Sequence, residues 1–180
     1  ECGVKLVETS YIVTFIGDDR PGLVESLSRV IESNQGSWLE SRLSQLGGKF
    51  AGLVLVSLPG DNGAALEVDL KGLSTSGLSV RVTPAHAIAR DKRARCITLA
   101  VIGPDRLGIV REISRALAQR NVNVVEMDSE VTSAPMSAEL LFSARIDAEI
   151  PEHIDLDDLE DSLEEIANHM TLEIELERAH

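Results

Sequence analysis

Few aromatic residues and only two cysteines occur in this chain. Tyrosine, phenylalanine and tryptophan together make up 3% of its 180 residues. Cys2 and Cys96 lie far apart and belong to no ligand-spaced cluster, which argues against a disulfide framework and against a zinc site. We therefore expect reduced thiols, a cytoplasmic location, and neither a metal nor a cofactor.

Long apolar runs are also absent. No run approaches the roughly 20 residues that a membrane-spanning helix needs. No signal-peptide pattern is visible at the N-terminus, so we expect no association with a membrane. The first residue is not methionine, which leaves open whether a targeting segment or a further domain was removed.

The chain lacks the positive charge that nucleic-acid binding requires. Its formal net charge is −13, and residues 147–177 contain thirteen acidic side chains and no lysine or arginine. Such a surface repels phosphate backbones, so we expect no direct contact with nucleic acid. The one basic cluster comprises Arg90, Lys92, Arg93 and Arg95. A solvated linker explains this cluster better than a nucleic-acid contact does.

No constellation of catalytic residues is visible either. The four histidines lie in no metal-ligand or triad spacing, and the serines of residues 41–57 lack the context of a nucleophile elbow. The acidic run of residues 152–165 has the period of a solvated helix face, with a partner surface as the alternative. We therefore expect a protein that is not an enzyme.

A tandem repeat dominates the sequence. The segment Gly17-Asp18-Asp19-Arg20-Pro21-Gly22-Leu23-Val24 returns as Gly103-Pro104-Asp105-Arg106-Leu107-Gly108-Ile109-Val110 at an offset of 86 residues. The register continues downstream, for example from Glu40 to Glu126. A period this long indicates two copies of a small domain rather than a solenoid. The predicted domains are residues 1–85 and 95–180, joined by a linker at 86–94.

Each repeat has the periodicity of strand, helix, strand, strand, helix, strand. In the first repeat the predicted strands are 11–16, 38–46, 50–58 and 78–83, and the predicted helices carry Leu23, Leu27, Val30 and Ile31 and then Leu66, Leu70 and Leu73. In the second repeat the strands are 96–102, 122–132, 136–146 and 171–177, and the helices carry Ile109, Ile113, Ala116 and Leu117 and then Leu156, Leu159, Leu163 and Ile166. This order predicts an α+β protein with two ferredoxin-like βαββαβ domains, each an antiparallel sheet with two helices on one face.

The first strand-to-helix turn of each repeat, predicted at residues 17–22 in the first, can bind a small molecule. Gly22 and Gly108 permit close approach of a ligand, and the following helix directs unpaired N–H groups and a positive dipole end toward the turn. A carboxylate suits that position, and Asp19 or Asp105 could accept hydrogen bonds from an ammonium group. The alternative is that these aspartates only cap the helices.

The Asp-Arg-Pro-Gly-Leu-Val run of residues 19–24, placed after a strand in a βαββαβ unit, resembles the ACT domain. That family is a small-molecule sensing module attached to many enzymes of amino-acid metabolism. Two such units without a catalytic domain, together with Glu40-Ser41-Arg42-Leu43 and Leu46-Gly47-Gly48-Lys49-Phe50, resemble the glycine cleavage system transcriptional repressor family. That resemblance implies action through a DNA-binding activator protein rather than on DNA.

The resemblance also implies a set of ligand-binding residues. At the start of the second strand the ACT pattern has a polar residue, often asparagine, followed by an aliphatic one, which Asn123-Val124 matches and Ser37-Trp38 does not. The implied positions are Asp18, Asp19, Arg20, Pro21, Gly22, Leu23, Val24, Pro104, Asp105, Arg106, Leu107, Gly108, Ile109, Val110, Asn123 and Val124.

The sequence thus predicts a regulatory protein that binds a small amino acid, with glycine as a candidate, and controls transcription of amino-acid metabolism genes through a protein partner. The alternative is that the chain is the regulatory part or subunit of an amino-acid or one-carbon metabolic enzyme. In that case the enzyme is the partner. A dimerisation module without a ligand is a third possibility. Because sheets of this fold expose edge strands and one face, we expect the two halves to pack together and the chain to form a homodimer.

Overall fold

The computed structural model describes residues 8–73, 77–86 and 94–178. The chain divides into two compact units, Glu1–Ile88 and Ala89–His180. The first contains β1 (Glu8–Asp18), α1 (Leu23–Ser33), β2 (Ser37–Leu46), β3 (Lys49–Pro59), α2 (Gly63–Lys71) and β4 (Ser79–Pro84). The second contains β5 (Arg95–Pro104), α3 (Ile109–Gln119), β6 (Asn123–Ser133), β7 (Leu140–Ile150), α4 (Leu156–Met170) and β8 (Glu173–Arg178). This order confirms the prediction of two βαββαβ domains in an α+β protein.

The first domain is an antiparallel sheet with the strand order β2-β3-β1-β4. Side chains of a strand alternate between the two faces of a sheet. Val13 of β1 lies on one face and shares a buried core with Leu27 of α1 and Leu70 of α2. Ile16, which lies on the other face, is 49% exposed. Both helices therefore pack on the same face.

The second domain repeats this arrangement with the strand order β6-β7-β5-β8. Leu99 of β5 is fully buried and packs in one core with Ile113 of α3 and Leu159 of α4. At the start of α4, Asp155 is the N-cap residue, and its carboxylate accepts a hydrogen bond of 3.0 Å from the backbone N–H of Asp157. The predicted apolar stripes of α1, α3 and α4 thus point into the cores.

We call the face of each sheet that points away from its core the open face. Directly opposite residues of antiparallel strands share a face, so the pairing register identifies its members. The first open face comprises Ile12, Thr14, Ile16, Glu40, Arg42, Ser44, Ala51, Leu53, Leu55, Ser57, Ser79, Arg81 and Thr83. The second open face comprises the equivalent residues Thr98, Ala100, Ile102, Glu126, Asp128, Glu130, Ser143, Arg145, Asp147, Glu149, Glu173, Glu175 and Glu177.

The predicted boundary of the seventh strand was wrong. The strand runs over Leu140–Ile150 rather than over residues 136–146. Met136 and Ala138 have left-handed φ values of 78° and 55°, and the backbone N–H of Ala134 donates to the carbonyl oxygen of Glu139 at 2.7 Å. Residues 134–139 therefore form the turn of the hairpin. Met136 is apolar, which led to its assignment to a strand, but its side chain is fully exposed.

Smaller corrections concern the ends of other elements. β1 and β5 continue through Asp18 and Pro104, which were predicted to lie in the turns. α2 ends at Lys71 with Gly72 at its C-cap, so the predicted Leu73 lies beyond this helix and packs against the core as a partly buried residue. The longer strands shorten the two strand-to-helix turns to residues 19–22 and 105–108.

One residue of the basic cluster belongs to a strand rather than to the linker. Arg95 is the first residue of β5, in agreement with the predicted start of the second domain and not with its assignment to the linker, and its exposed side chain donates from Nη2 to the carbonyl oxygen of Ile154 at 2.6 Å. Arg90, Lys92, Arg93 and Cys2 lie outside the described residues. Across residues 8–73, 77–86 and 94–178 no helix is long and apolar enough to cross a membrane.

Candidate functional site at the two strand-to-helix turns

The first turn connects β1 to α1 through residues 19–22. Gly22 is the N-cap residue of α1 with φ +87°, a left-handed conformation that favours glycine. Within the described part of the chain, no side chain caps this helix. Because the first backbone N–H groups of a helix have no intrahelical partner, those of α1 are available to an anion such as a carboxylate.

The hairpin between β2 and β3 holds this turn in place. The backbone N–H of Asp19 donates to the carbonyl oxygen of Gly48 at 3.1 Å, and Gln45 Nε2 donates to Asp19 Oδ2 at 2.8 Å. Lys49 Nζ forms a hydrogen-bonded ion pair with Asp18 Oδ1. The hydrogen bond from Lys49 holds the pKa of the Asp18 carboxyl below its ordinary value. The carboxylates of Asp18, at the end of β1, and of Asp19, in the turn, are therefore both already engaged.

A cavity of about 230 Å³ lies at the first turn. It is lined by Asp19, Arg20, Gly22, Leu23, Val24, Glu25 and Phe50. Five of these residues were predicted from the sequence, and Glu25 and Phe50 were not. The Phe50 ring packs against Phe15 with 5.8 Å between ring centroids, which fixes this wall of the cavity. Its volume suits a small ligand, because cavities for larger organic ligands are about 300 to 1,000 Å³.

The second turn, at residues 105–108, repeats the backbone geometry of the first. Gly108 is the N-cap residue of α3 with φ +97°, and no side chain in residues 94–178 caps this helix. The backbone N–H of Asp105 donates to the carbonyl oxygen of Leu140 at 2.8 Å, which matches the bond between Asp19 and Gly48. Leu107 stands where the first turn has Pro21, and its side chain is almost completely exposed.

The two turns differ in the partners of their aspartates. The register places Val131 where the first domain has Gln45, and an isopropyl group cannot donate a hydrogen bond. Among the described residues, the Asp105 carboxylate has no hydrogen-bond or ion-pair partner. It is therefore free to accept hydrogen bonds from an ammonium group, whereas Asp19 already accepts one from Gln45 at Oδ2 and offers fewer open positions.

Comparison with known proteins places both domains in one family. Two ACT domain models match the chain, one over residues 9–83 and the other over residues 97–168. Together these matches cover more than three quarters of the sequence. The chain belongs to the ACT domain family. ACT domains are regulatory modules that bind small molecules, and a regulatory, small-molecule-binding role follows for this protein. No curated protein sequence is significantly similar to the chain.

Two solved structures match the chain over nearly its whole length. A protein of unknown function from Galdieria sulphuraria is 28% identical, with a TM-score of 0.87 over 97% of this chain and 100% of its own. A provisionally assigned glycine cleavage system transcriptional repressor is 19% identical, with a TM-score of 0.71 over 96% of this chain and 98% of its own. At 19% identity, the second likeness supports the fold of the two ACT domains.

Asn123 and Val124 lie far from the turn of their own ACT domain. Asn123 pairs with Glu149 of β7, whereas the turn residue Asp105 bonds to Leu140 at the other end of that strand. Nine residues of strand separate the two positions, a distance of about 30 Å. One copy of the second ACT domain therefore does not bring Asn123 and Val124 together with residues 105–108.

The alternative interpretation of Asp19 and Asp105 as helix caps was wrong. Gly22 and Gly108 occupy the N-cap positions, and each aspartate lies three residues earlier in the chain. Sequence reasoning also missed Gln45, which contacts the turn from the neighbouring hairpin. The glycine pair at residues 47–48 indicated a hairpin, but the register that brings Gln45 to Asp19 depends on the pairing of three strands.

Proposed function

We propose that this tandem ACT protein is a non-catalytic regulator that binds a small amino acid, with glycine as the first candidate. The observation that carries the proposal is a helix N-terminus without a side-chain cap, placed after a left-handed glycine and beside an aspartate, and present in both domains. At the first turn this arrangement borders a cavity of about 230 Å³. The free backbone N–H groups bind the carboxylate, and the aspartate binds the ammonium group.

The signal passes to a protein partner. The sequence resemblance to the glycine cleavage system transcriptional repressor family implies a DNA-binding activator as that partner and control of amino-acid metabolism genes as the outcome, and a provisionally assigned repressor of that name shares the fold. The ligand favours one arrangement of the protein and thereby changes its affinity for the partner. We place the protein and its partner in the cytoplasm.

A calorimetric screen of the common amino acids tests ligand binding directly. We expect glycine or another small amino acid to bind, because the site provides groups for one carboxylate and one ammonium. Acetate and methylamine each carry only one of these groups and serve as controls, and both should bind more weakly than glycine. If no amino acid binds, the ligand proposal fails, and a dimerisation module without a ligand becomes the alternative to test.

We further propose a homodimer that forms through the first open face. Ile16 and Leu53 are about half exposed there and offer apolar surface to a second copy, and one carboxylate against two guanidinium groups leaves this face with only a small net charge to oppose it.

Leu53→Glu should convert the homodimer to a monomer, because it buries a charge in the apolar centre of the interface. Light scattering at micromolar concentration measures the change. Val68→Glu is the matched control, because Val68 is 69% exposed on α2 and lies away from the open face. The control should remain dimeric. A monomeric wild-type protein contradicts the proposal.

A further inference from the structure

The two open faces have the same backbone and opposite electrostatic character. At thirteen equivalent positions, the first open face carries one carboxylate and two guanidinium groups. The second carries eight carboxylates and one guanidinium group, that of Arg145. Since the first domain folds without these charges, the fold does not require them in the second.

The charges of the second open face are poorly compensated within the chain. Glu126 and Asp147 lie directly opposite each other on β6 and β7, where like charges are destabilising. Asp147 pairs with Arg145 at 3.5 Å and accepts a hydrogen bond from Thr98 Oγ1 at 2.6 Å. Within residues 94–178, the other seven carboxylates of this face form no ion pair. An opposite charge from outside the chain would relieve this repulsion.

A groove of about 680 Å³ crosses the second open face. Ala100 and Ile102 form its apolar floor beside Arg145 of β7, with Asp128 and Glu130 on the β6 side and Glu173 and Glu175 on the β8 side. β6 and β8 are the two edge strands, so the groove crosses the whole width of the sheet. That width is about 14 Å, three times the spacing of neighbouring strands. Lysine and arginine fit such a groove, because their aliphatic stems cover apolar surface while their charged ends reach carboxylates.

We infer that the second open face is the docking surface for an extended, lysine- and arginine-rich segment of a protein partner. Charge complementarity decides the occupant: eight carboxylates repel nucleic acid and a second copy of the same face. A small molecule in the groove would meet only four of the eight carboxylates, whereas an extended segment can also reach those that lie beyond it. The inference rests on one part of the proposed function, the existence of a protein partner. It adds which surface binds that partner and what kind of side chains the partner contributes.

The test compares two triple variants of the full chain that have the same net charge. The sheet variant is Glu173→Lys, Glu175→Lys and Glu177→Lys on β8. The helix variant, which is the control, is Asp161→Lys, Glu164→Lys and Glu165→Lys on the exposed side of α4. The probe is a fluorescein-labelled peptide rich in lysine and arginine, and fluorescence anisotropy measures its binding at low and at physiological salt.

We expect the sheet variant to lose about tenfold or more in affinity, and the helix variant about threefold or less, since nearby charges dominate over distant ones that salt screens. Equal losses would mean that only net charge matters and would overturn the inference, as would a wild-type protein that does not bind the peptide. Spermine binding as tightly as the peptide would overturn the choice of a protein segment.

Two further measurements keep the result interpretable. If the sheet variant does not fold by circular dichroism, Glu126→Gln, Asp128→Asn and Glu130→Gln on β6 remove charge from the same face and should also weaken peptide binding. Calorimetry with glycine separates the two proposals, because the sheet variant should bind glycine as the wild type does. Loss of peptide binding with retained glycine binding supports the docking surface, whereas a wild type that binds peptide but no amino acid defeats only the ligand proposal.

Discussion

Gly108→Val is expected to weaken amino-acid binding by about 1 to 3 kcal/mol. Gly108 has φ +97°, and a β-branched residue in that conformation costs about 1 to 3 kcal/mol in backbone strain. A Cβ atom at this position would meet Arg111 and Met170 only at 4.0 Å, so the backbone conformation, not crowding within the protein, makes the change costly. The strained turn would move the N–H groups of α3 away from the ligand carboxylate. Isothermal calorimetry with glycine measures the loss.

Asp105→Ala separates ligand binding from stability in the same experiment. Its carboxylate has no partner in residues 94–178, so its removal should leave the melting temperature nearly unchanged while glycine affinity falls by a similar amount. Asp19→Ala is the matched variant in the first domain, where the side chain also loses the hydrogen bond from Gln45. Unchanged affinity in both second-domain variants, Gly108→Val and Asp105→Ala, would remove the second turn as the site.

The purified protein alone should not shift any promoter fragment in a gel-shift assay. With a net charge of −13, it gains no counterion release from a phosphate backbone, and residues 147–177 would oppose any approach to DNA. Addition of the partner activator should yield a shifted complex whose amount or mobility changes with the amino acid. The assay is run at low salt, where electrostatic binding is strongest.

A promoter fragment incubated with the activator alone is the control for that assay. Tight, salt-sensitive binding by the ACT protein itself would contradict both the partner model and our interpretation of its acidic surface. A complex that forms with the activator but does not respond to any amino acid would support the partner and contradict the ligand.

The repeat and the apolar periodicity allowed most of the fold to be predicted. Helix stripes such as Leu23, Leu27 and Ile31 are local patterns, and the structure buries all three residues. The prediction failed at Met136, because the preference of a single apolar residue for a strand was outweighed by a six-residue hairpin turn with left-handed residues. Boundaries of this kind depend on which strands pair, and that pairing is not local.

The sequence by itself determined that the chain has two βαββαβ domains and an acidic second half, since periodicity, glycine positions and charge are properties of the residues alone. Only the tertiary structure decided that Gln45 donates a hydrogen bond to Asp19, whereas the Asp105 carboxylate has no partner among the described residues. Cross-strand register sets those contacts. It also separated Asn123 from its turn and gathered Glu126, Asp147 and Glu175 onto one open face. Residues distant in sequence become neighbours through strand pairing, so their combined chemistry appears only in the folded sheet.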